Sequence, residues 1–520
     1  MRLLKNKYAI IILGILFLAV VTPRIRFPDL DHGDEFSDAN ALNAGENFVK
    51  FGFFRCKFLP MLEPHFDKPQ DLYTHYPPLP DIINGLERAL FKTNSLYFFR
   101  SLSLLFAFLN LLFWYLFIKR FTNSPLISFL SAVFYLANPI FIFGADSLHE
   151  SSYSDFLRSL IFFTFLVMLN SSRKKKFIFI FLWILVVIES LITFEYIIYL
   201  SLFFILFNFF SRKSEGALSR KEIFILMLAP VFGFLLHLLQ NIWYFGSLSL
   251  ALQDLRNIAV QRIANSRDSP IPHLNFPVWL QYAIGRNFSL VFFFNNYILF
   301  SALFFSFFLY HNLSSKSKDQ IRPLFYLCLL LAACGISWYA FFPSHVVSHT
   351  FLSFLSRHLL PVSAVAFALF CYIILSFIKE NNPNNLAGRI LLVAIVVIIA
   401  FTGILKSDLP ISKDNIAQAE DFLIFKNCLL NLKAMSKEKD AIGLNYFRYP
   451  FIRYYTHRHC QYINSRSSLE ELKNLPGYFI FIPYRNPVAQ ELFGFLNQKY
   501  ESLFQCKSVR FPATLFKLKN

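Results

Sequence analysis

RKKKFIFIFLWILVVIESLITFEYIIYLSLFFILFNFFSRK, running from Arg173 to Lys213, decides how this chain folds. Basic clusters close the run at both ends, and the charged residues between them are Glu189 and Glu195. As one helix, residues 177–210 would extend about 50 Å, against a bilayer hydrocarbon core of about 30 Å. One crossing would also set Arg173–Lys176 and Arg212-Lys213 on opposite sides of a membrane. Two short spans hinged near Glu189–Glu195 remove both conflicts, because the basic clusters then share a side.

The same pattern extends outward. Of 520 residues, 56% are hydrophobic and 16% charged, with 68 Phe against 16 Gly. A soluble domain has no interior large enough for so much apolar side chain, whereas a membrane bundle turns it to lipid. Further apolar runs lie at 8–21, 97–118, 126–144, 156–170, 223–245, 288–310, 323–342, 355–378 and 390–405. With the pair at 177–190 and 191–210, the chain reads as about eleven transmembrane helices. The net charge of +18 is unevenly placed. The N-terminus and the links on its side (Lys119-Arg120, Arg173–Lys176, Arg212–Glu222, Lys316–Arg322, Lys379–Arg389) hold eighteen Lys/Arg against four Asp/Glu. This positive-inside asymmetry puts the N-terminus and those links in the cytoplasm, and argues against nucleic acid as a partner. Pro23-Arg24-Ile25-Arg26 follows the first run with no small-residue cleavage site, so the run reads as a retained anchor.

Outside the membrane this leaves residues 24–95, a turn at 145–155, residues 246–287 and everything after about 405, the C-terminus included. The tail is mixed in polarity, with short apolar runs such as Tyr478-Phe479-Ile480-Phe481-Ile482. It predicts a small C-terminal α/β exterior domain over 406–520, beside a membrane domain over 1–405. Cys56, Cys428, Cys460 and Cys506 lie outside, where a disulfide is permitted by compartment but no pairing is indicated by spacing. No internal repeat is evident, and no CxxC or paired-His motif suggests a structural zinc site.

Candidates for chemistry gather on the exterior side. His32-Gly33-Asp34-Glu35-Phe36 heads the first loop. Apolar Phe36, Ala39, Leu42 and Ala44 predict a helix on the membrane surface with Asp34-Glu35 in its first turn, where the helix dipole favours acids. The spacing fits two readings of Asp34, a helix cap and a general base.

Taken in order, several motifs resemble the large-loop GT-C glycosyltransferases, which include protein O-mannosyltransferases and lipid A aminoarabinose transferases. They are Asp34-Glu35, Gly52-Phe53-Phe54, Tyr76-Pro77-Pro78-Leu79, and Asn138-Pro139 ahead of Asp146, His149 and Glu150. Leu191-Ile192-Thr193, Asn241–Ser247 and Ser356-Arg357-His358-Leu359-Leu360-Pro361 follow. The resemblance covers nearly all of the membrane part and not the tail. It implies an all-α polytopic membrane protein of GT-C type, in a bacterial inner membrane. The implied reaction passes a sugar, with inversion, from a polyprenyl-phosphate donor to a lipid, glycan or protein acceptor at the non-cytoplasmic face.

Carried over residue by residue, Asp34 is the base and Glu35 its support. Glu150 is the second acid, with Asp146 its rival; a solvated turn acid is the plain reading of either. Arg357, followed by His358, clamps the donor phosphate with its planar fork, against a plain reading as a headgroup anchor. His75 and Tyr76 fall at substrate-binding positions. Tyr76 stands where the aminoarabinose transferases have Lys, and Glu195 where many relatives carry Lys, which puts the donor in doubt. His75, His345, His349 and Arg286 are the substitutes for the missing charge.

Glu63 and His75 are the candidates for a divalent metal, and no other cofactor is indicated. Leu252, Leu255, Ile258, Ala259 and Ile263 are spaced as an amphipathic helix, either an ordinary surface helix or a gate over a donor groove. His237 reads as a packed, hydrogen-bonded residue. A transporter or flippase of lipid-linked sugars would show internal repeats and ionisable groups at mid-membrane depth. A non-catalytic scaffold of the same fold is consistent with the departures at Tyr76 and Glu195.

Overall fold

The computed structural model describes residues 6–25, 35–64, 72–171, 174–211, 218–263, 308–342, 357–381, 413–445, 449–472, 474–483, 487–509 and 512–519, with 29, 277, 388 and 394 as isolated positions. The chain forms two compact units. One comprises residues 1–23, 75–77 and 100–409; the other comprises 24–74, 78–99 and 410–520.

The described helices run α1 (Asn6–Ile25), α2 (Glu35–Phe51), α3 (Leu79–Phe91), α4 (Leu96–Thr122), α5 (Pro125–Ala137) and α6 (Pro139–Gly144). Next come α7 (Glu150–Leu169), α8 (Lys175–Ile192), α9 (Glu195–Ser211), α10 (Arg220–Phe245) and α11 (Leu248–Ile263). Then follow α12 (Ser315–Phe341) and α13 (Leu360–Asn381). Five of these, α4, α7, α10, α12 and α13, are long and apolar enough to cross a bilayer, and residues within α1, α5 and α9 form shorter apolar helices. The expected spans at 288–310 and 390–405 lie almost wholly outside the described residues.

The deciding run is two helices. Thr193 breaks it with extended backbone, its N–H closing α8 on the Glu189 carbonyl at 3.1 Å. Its hydroxyl accepts from the Glu195 N–H at 3.2 Å, which starts α9.

Two expected boundaries are corrected. The run at 126–144 is a pair of helices, because the Asn138 side chain accepts from the Ile140 N–H at 3.0 Å and Pro139 opens α6. The turn at 145–155 ends early, with α7 beginning at Glu150. Ser151, Ser152, Ser154 and Asp155 look like loop by polarity, yet they are buried against protein and carry the helix on.

Phenylalanine supplies both packing and lipid-facing surface. Phe165 of α7 meets Phe203, Phe204 and Phe207 of α9 with ring centroids 5.6, 5.3 and 5.1 Å apart. Phe134 of α5 stacks on Phe367 of α13 at 4.4 Å, where Ser131 also donates to the Ala364 carbonyl at 2.9 Å. Phe177, Phe209, Phe224 and Phe232 are exposed, as lipid contact requires. Lysines gather at one set of helix ends: α4 closes on Lys119-Arg120, α8 opens on Lys175-Lys176, α12 opens with Lys316 and Lys318, and α13 closes with Lys379.

In the second unit α2 and α3 cross closely. A Cβ on Gly45 would lie 2.5 Å from the Asn84 side-chain oxygen, so only glycine fits there. The tail contributes a five-stranded sheet, in the order β2-β1-β3-β5-β4. β1 (Ala441–Leu444) pairs parallel with β2 (His459–Tyr462) and β3 (Tyr478–Phe481). β5 (Ala513–Leu518) runs antiparallel to both β3 and β4 (Tyr500–Cys506). All four β3 residues are buried, as a central strand demands.

The first loop and the tail are tied by polar contacts. Asn43 donates to the Pro450 carbonyl at 3.1 Å, and Arg453 reaches Glu63 at 2.5 Å. His459 contacts the other Glu63 oxygen at 2.7 Å, His457 pairs with Glu46 at 3.2 Å, and Lys426 with Asp29 at 2.7 Å. Cys428 and Cys506 form a disulfide, while Cys56 and Cys460 are free and buried.

Candidate functional site

Among the described residues of the membrane unit, the buried carboxylates and guanidinium groups lie toward the helix ends opposite those lysine-bearing ends. They belong to the start of α4, the turn before α7, the first turns of α7, the α8–α9 break and residues 357–359 ahead of α13. The end of α12 packs aromatic side chains against them. Gly335 of α12 lets that last segment come close, since a Cβ there would stand 2.8 Å from the His358 carbonyl oxygen.

Within this region Arg357 Nη2 lies 3.2 Å from Glu150 Oε1, both side chains buried. The His358 Nε2 is 3.0 Å from Glu195 Oε2, and its ring lies parallel to Trp338 and 4.7 Å from Tyr196. Arg158 donates to Asp155 at 2.7 Å with its guanidinium 4.6 Å over the Tyr196 ring. Ser154 donates to Glu189. Arg100 holds Asp146, through the carbonyl at 3.0 Å and the carboxylate at 3.4 Å. Among the described residues, Glu189 Oε2, the Tyr196 and Tyr199 hydroxyls and His358 Nδ1 are buried without a hydrogen-bond partner. Such atoms are costly to leave unsatisfied, and they mark a place built to meet something polar.

Glu150, Arg357 and His358 are therefore brought into one cluster. Asp146 is also buried, but it sits on Arg100. Asp34 lies outside the described residues; Glu35 opens α2, with its side chain outside the description as well. His345, His349 and Arg286 also lie outside. His75 is part-exposed, with Nε2 3.9 Å from Asp254 Oδ1 of α11, and Tyr76 after it is half-buried. Glu63 is engaged by Arg453 and His459, and among the described residues no three His, Cys, Asp or Glu gather as a metal-binding group. His237 is packed, its ring within 3.3 Å of Asn241 and Gln240 side chains.

Arg100, Asp155 and Arg158 are not singled out by the sequence reading, and Glu189 enters it only as part of the hinge. Their signal was available: ionisable residues inside or beside apolar spans turn to the bundle interior and usually have a task.

No family model and no curated protein sequence matches this chain. Among solved structures it is similar to ArnT from Cupriavidus metallidurans bound to undecaprenyl phosphate, with a TM-score of 0.57 at 12% identity over 97% of each chain. The apo structure of the same ArnT gives 0.48 at equal identity and coverage. The fold is that of a polytopic integral membrane protein. It is ArnT-like, the GT-C architecture that the ordered motifs resemble.

Proposed function

We propose that this protein is a glycosyltransferase that takes a sugar from a polyprenyl-phosphate donor and passes it to a lipid, glycan or protein acceptor at the non-cytoplasmic face. The observation that carries this reading is Arg357, a buried guanidinium in an ArnT-like fold, clustered with Glu150 at the helix ends away from the basic links. A planar fork suits a phosphate, and burial strengthens the interaction beyond what water allows. The bound undecaprenyl phosphate of ArnT supports the same class of donor here.

In the reaction the acceptor hydroxyl attacks the anomeric carbon while the bond from that carbon to the phosphate oxygen breaks. Asp34 takes the hydroxyl proton, Glu35 supports it, and Arg357 stabilises the departing polyprenyl phosphate. Glu150, the second acid of the set, holds the Arg357 guanidinium until the donor arrives, and His358, His75, Tyr76 and Asp146 complete the substrate-binding set. The N-terminus lies in the cytoplasm and residues 406–520 form an exterior domain. The pairing of Cys428 with Cys506 supports that placement, since disulfides persist in oxidising compartments.

Incubation of purified protein with a panel of radiolabelled polyprenyl-phosphate sugars tests the activity. Consumption of one donor with release of polyprenyl phosphate is expected; a folded protein that consumes none would leave the fold without this chemistry. Reporter fusions at Ser214 and Ser467 should read cytoplasmic and exterior respectively. A cytoplasmic signal at Ser467 would overturn the topology.

A further inference from the structure

The guanidinium assigned to the donor phosphate already has an anion. Glu150 lies on it at 3.2 Å, and both side chains are buried. The groups facing Glu150 are His149 in its own turn, Thr193 and Glu195 at the α8–α9 break, and Arg357 ahead of α13. Asp155 and Arg158 follow on α7, and Glu189 faces the cluster from α8.

Four carboxylates, Glu150, Asp155, Glu189 and Glu195, thus share the interior with two guanidinium groups, Arg158 and Arg357. An entering phosphate adds a further negative charge to a region where carboxylates already outnumber guanidinium groups. Uncompensated charge in a low dielectric is expensive, and a buried carboxylate relieves it by taking a proton. The other three acids keep their partners when an anion takes Arg357: Asp155 has Arg158, Glu189 has Ser154, and Glu195 has His358. Glu150 gives up the guanidinium it is paired with at 3.2 Å; Asp155 and Glu195 also feel the Arg357 charge but keep a partner of their own.

We infer that Glu150 is a proton-coupled counter-ion to Arg357, displaced by the donor phosphate and protonated from solvent as the phosphate binds. The inference rests on the donor reading above. Protonated Glu150 then carries an O–H beside the phosphate, and the proton returns to solvent when the lipid phosphate leaves. Donor binding accordingly tightens as pH falls, by up to about tenfold per pH unit within the coupled window.

The test uses a farnesyl methyl phosphodiester, whose single charge does not change between about pH 5 and 8, so that any proton uptake belongs to the protein. Calorimetric titration of the full chain in two buffers of different ionisation enthalpy counts protons taken up per ligand. Wild type should take up close to one proton, with Kd rising as pH rises. Glu150→Gln, which keeps the shape and removes the charge, should bind without uptake and without pH dependence. Binding by wild type with no proton uptake would overturn the inference, as would undiminished uptake in Glu150→Gln. Absence of binding at every pH, in a folded protein, would overturn the donor reading itself.

Discussion

In the membrane unit Arg357 and Glu150 expose 2% and 8% of their side chains; in the other unit His457 and Glu46 expose 37% and 32%. The first pair gains little in stability from being ionic, because well-packed apolar residues of similar size would serve as well in a buried site. The proposed function gives that pair a chemical role instead. The second set joins chain segments about four hundred residues apart, as Glu63 with Arg453 and His459 does, and so holds the first loop to the tail. Under the proposed function, charge inside the bundle handles the ligand, while charge in the other unit ties chain segments together.

The largest effect that sharpens this contrast concerns the first loop. A base role for Asp34 predicts that Asp34→Asn loses on the order of 10²- to 10⁴-fold in transfer rate. A cap role predicts retained activity, because Asn caps a helix about as well as Asp. Next is the disulfide: Cys428→Ser should lower stability by about 2–4 kcal/mol in denaturant titration, as loss of a cross-link closing a long loop does. Binding of a phosphodiester at Arg357 should survive that change. Arg453→Ala is expected to cost about 1.5–3 kcal/mol, because it withdraws a charged hydrogen bond from Glu63, with His459 still in place. An unchanged melting temperature would remove that tie from the architecture.

The smallest effect is a pH dependence. Burial raises the Glu46 carboxyl, but the His457 hydrogen bond and charge, with Arg88 and Lys433, outweigh it, so Glu46 lies below its ordinary value of 4.5. A depressed carboxylate contributes stability that is full above the ordinary value and is lost as pH falls through the folded-state value. Glu46→Gln should therefore flatten part of the acid side of the stability profile and leave neutral pH nearly unaffected. An unaltered acid limb would dismiss this pair.

The deciding run could be read because length and charge act locally: 35 residues between two basic clusters must turn back at some point, and Thr193 is where they do. The start of α7 could not, since Ser151–Asp155 have the polarity of a loop and only neighbours distant in sequence reveal their burial. Arg158 was passed over for the same reason, its stabilising rings being Tyr196 and Tyr199 of another helix. Glu150, Arg357 and His358 were legible through motif order, whereas their pairing was not, because 207 residues separate Glu150 from Arg357. The tail's sheet was visible in Tyr478–Ile482; its ties to the first loop were not, for the same reason of distance.

Transfer rate per folded molecule in Arg357→Lys, set beside Arg453→Lys, tests the central claim most directly. Lysine keeps the charge opposite a glutamate in both variants and removes the two-pronged geometry, so folding is nearly held constant. Arg357→Lys is predicted to lose on the order of 10²-fold or more, comparable to removing one preorganised oxyanion donor, while Arg453→Lys stays near wild type. Equal rates in the two variants and wild type, at equal extracted yield, would contradict the assignment of Arg357 to the donor phosphate.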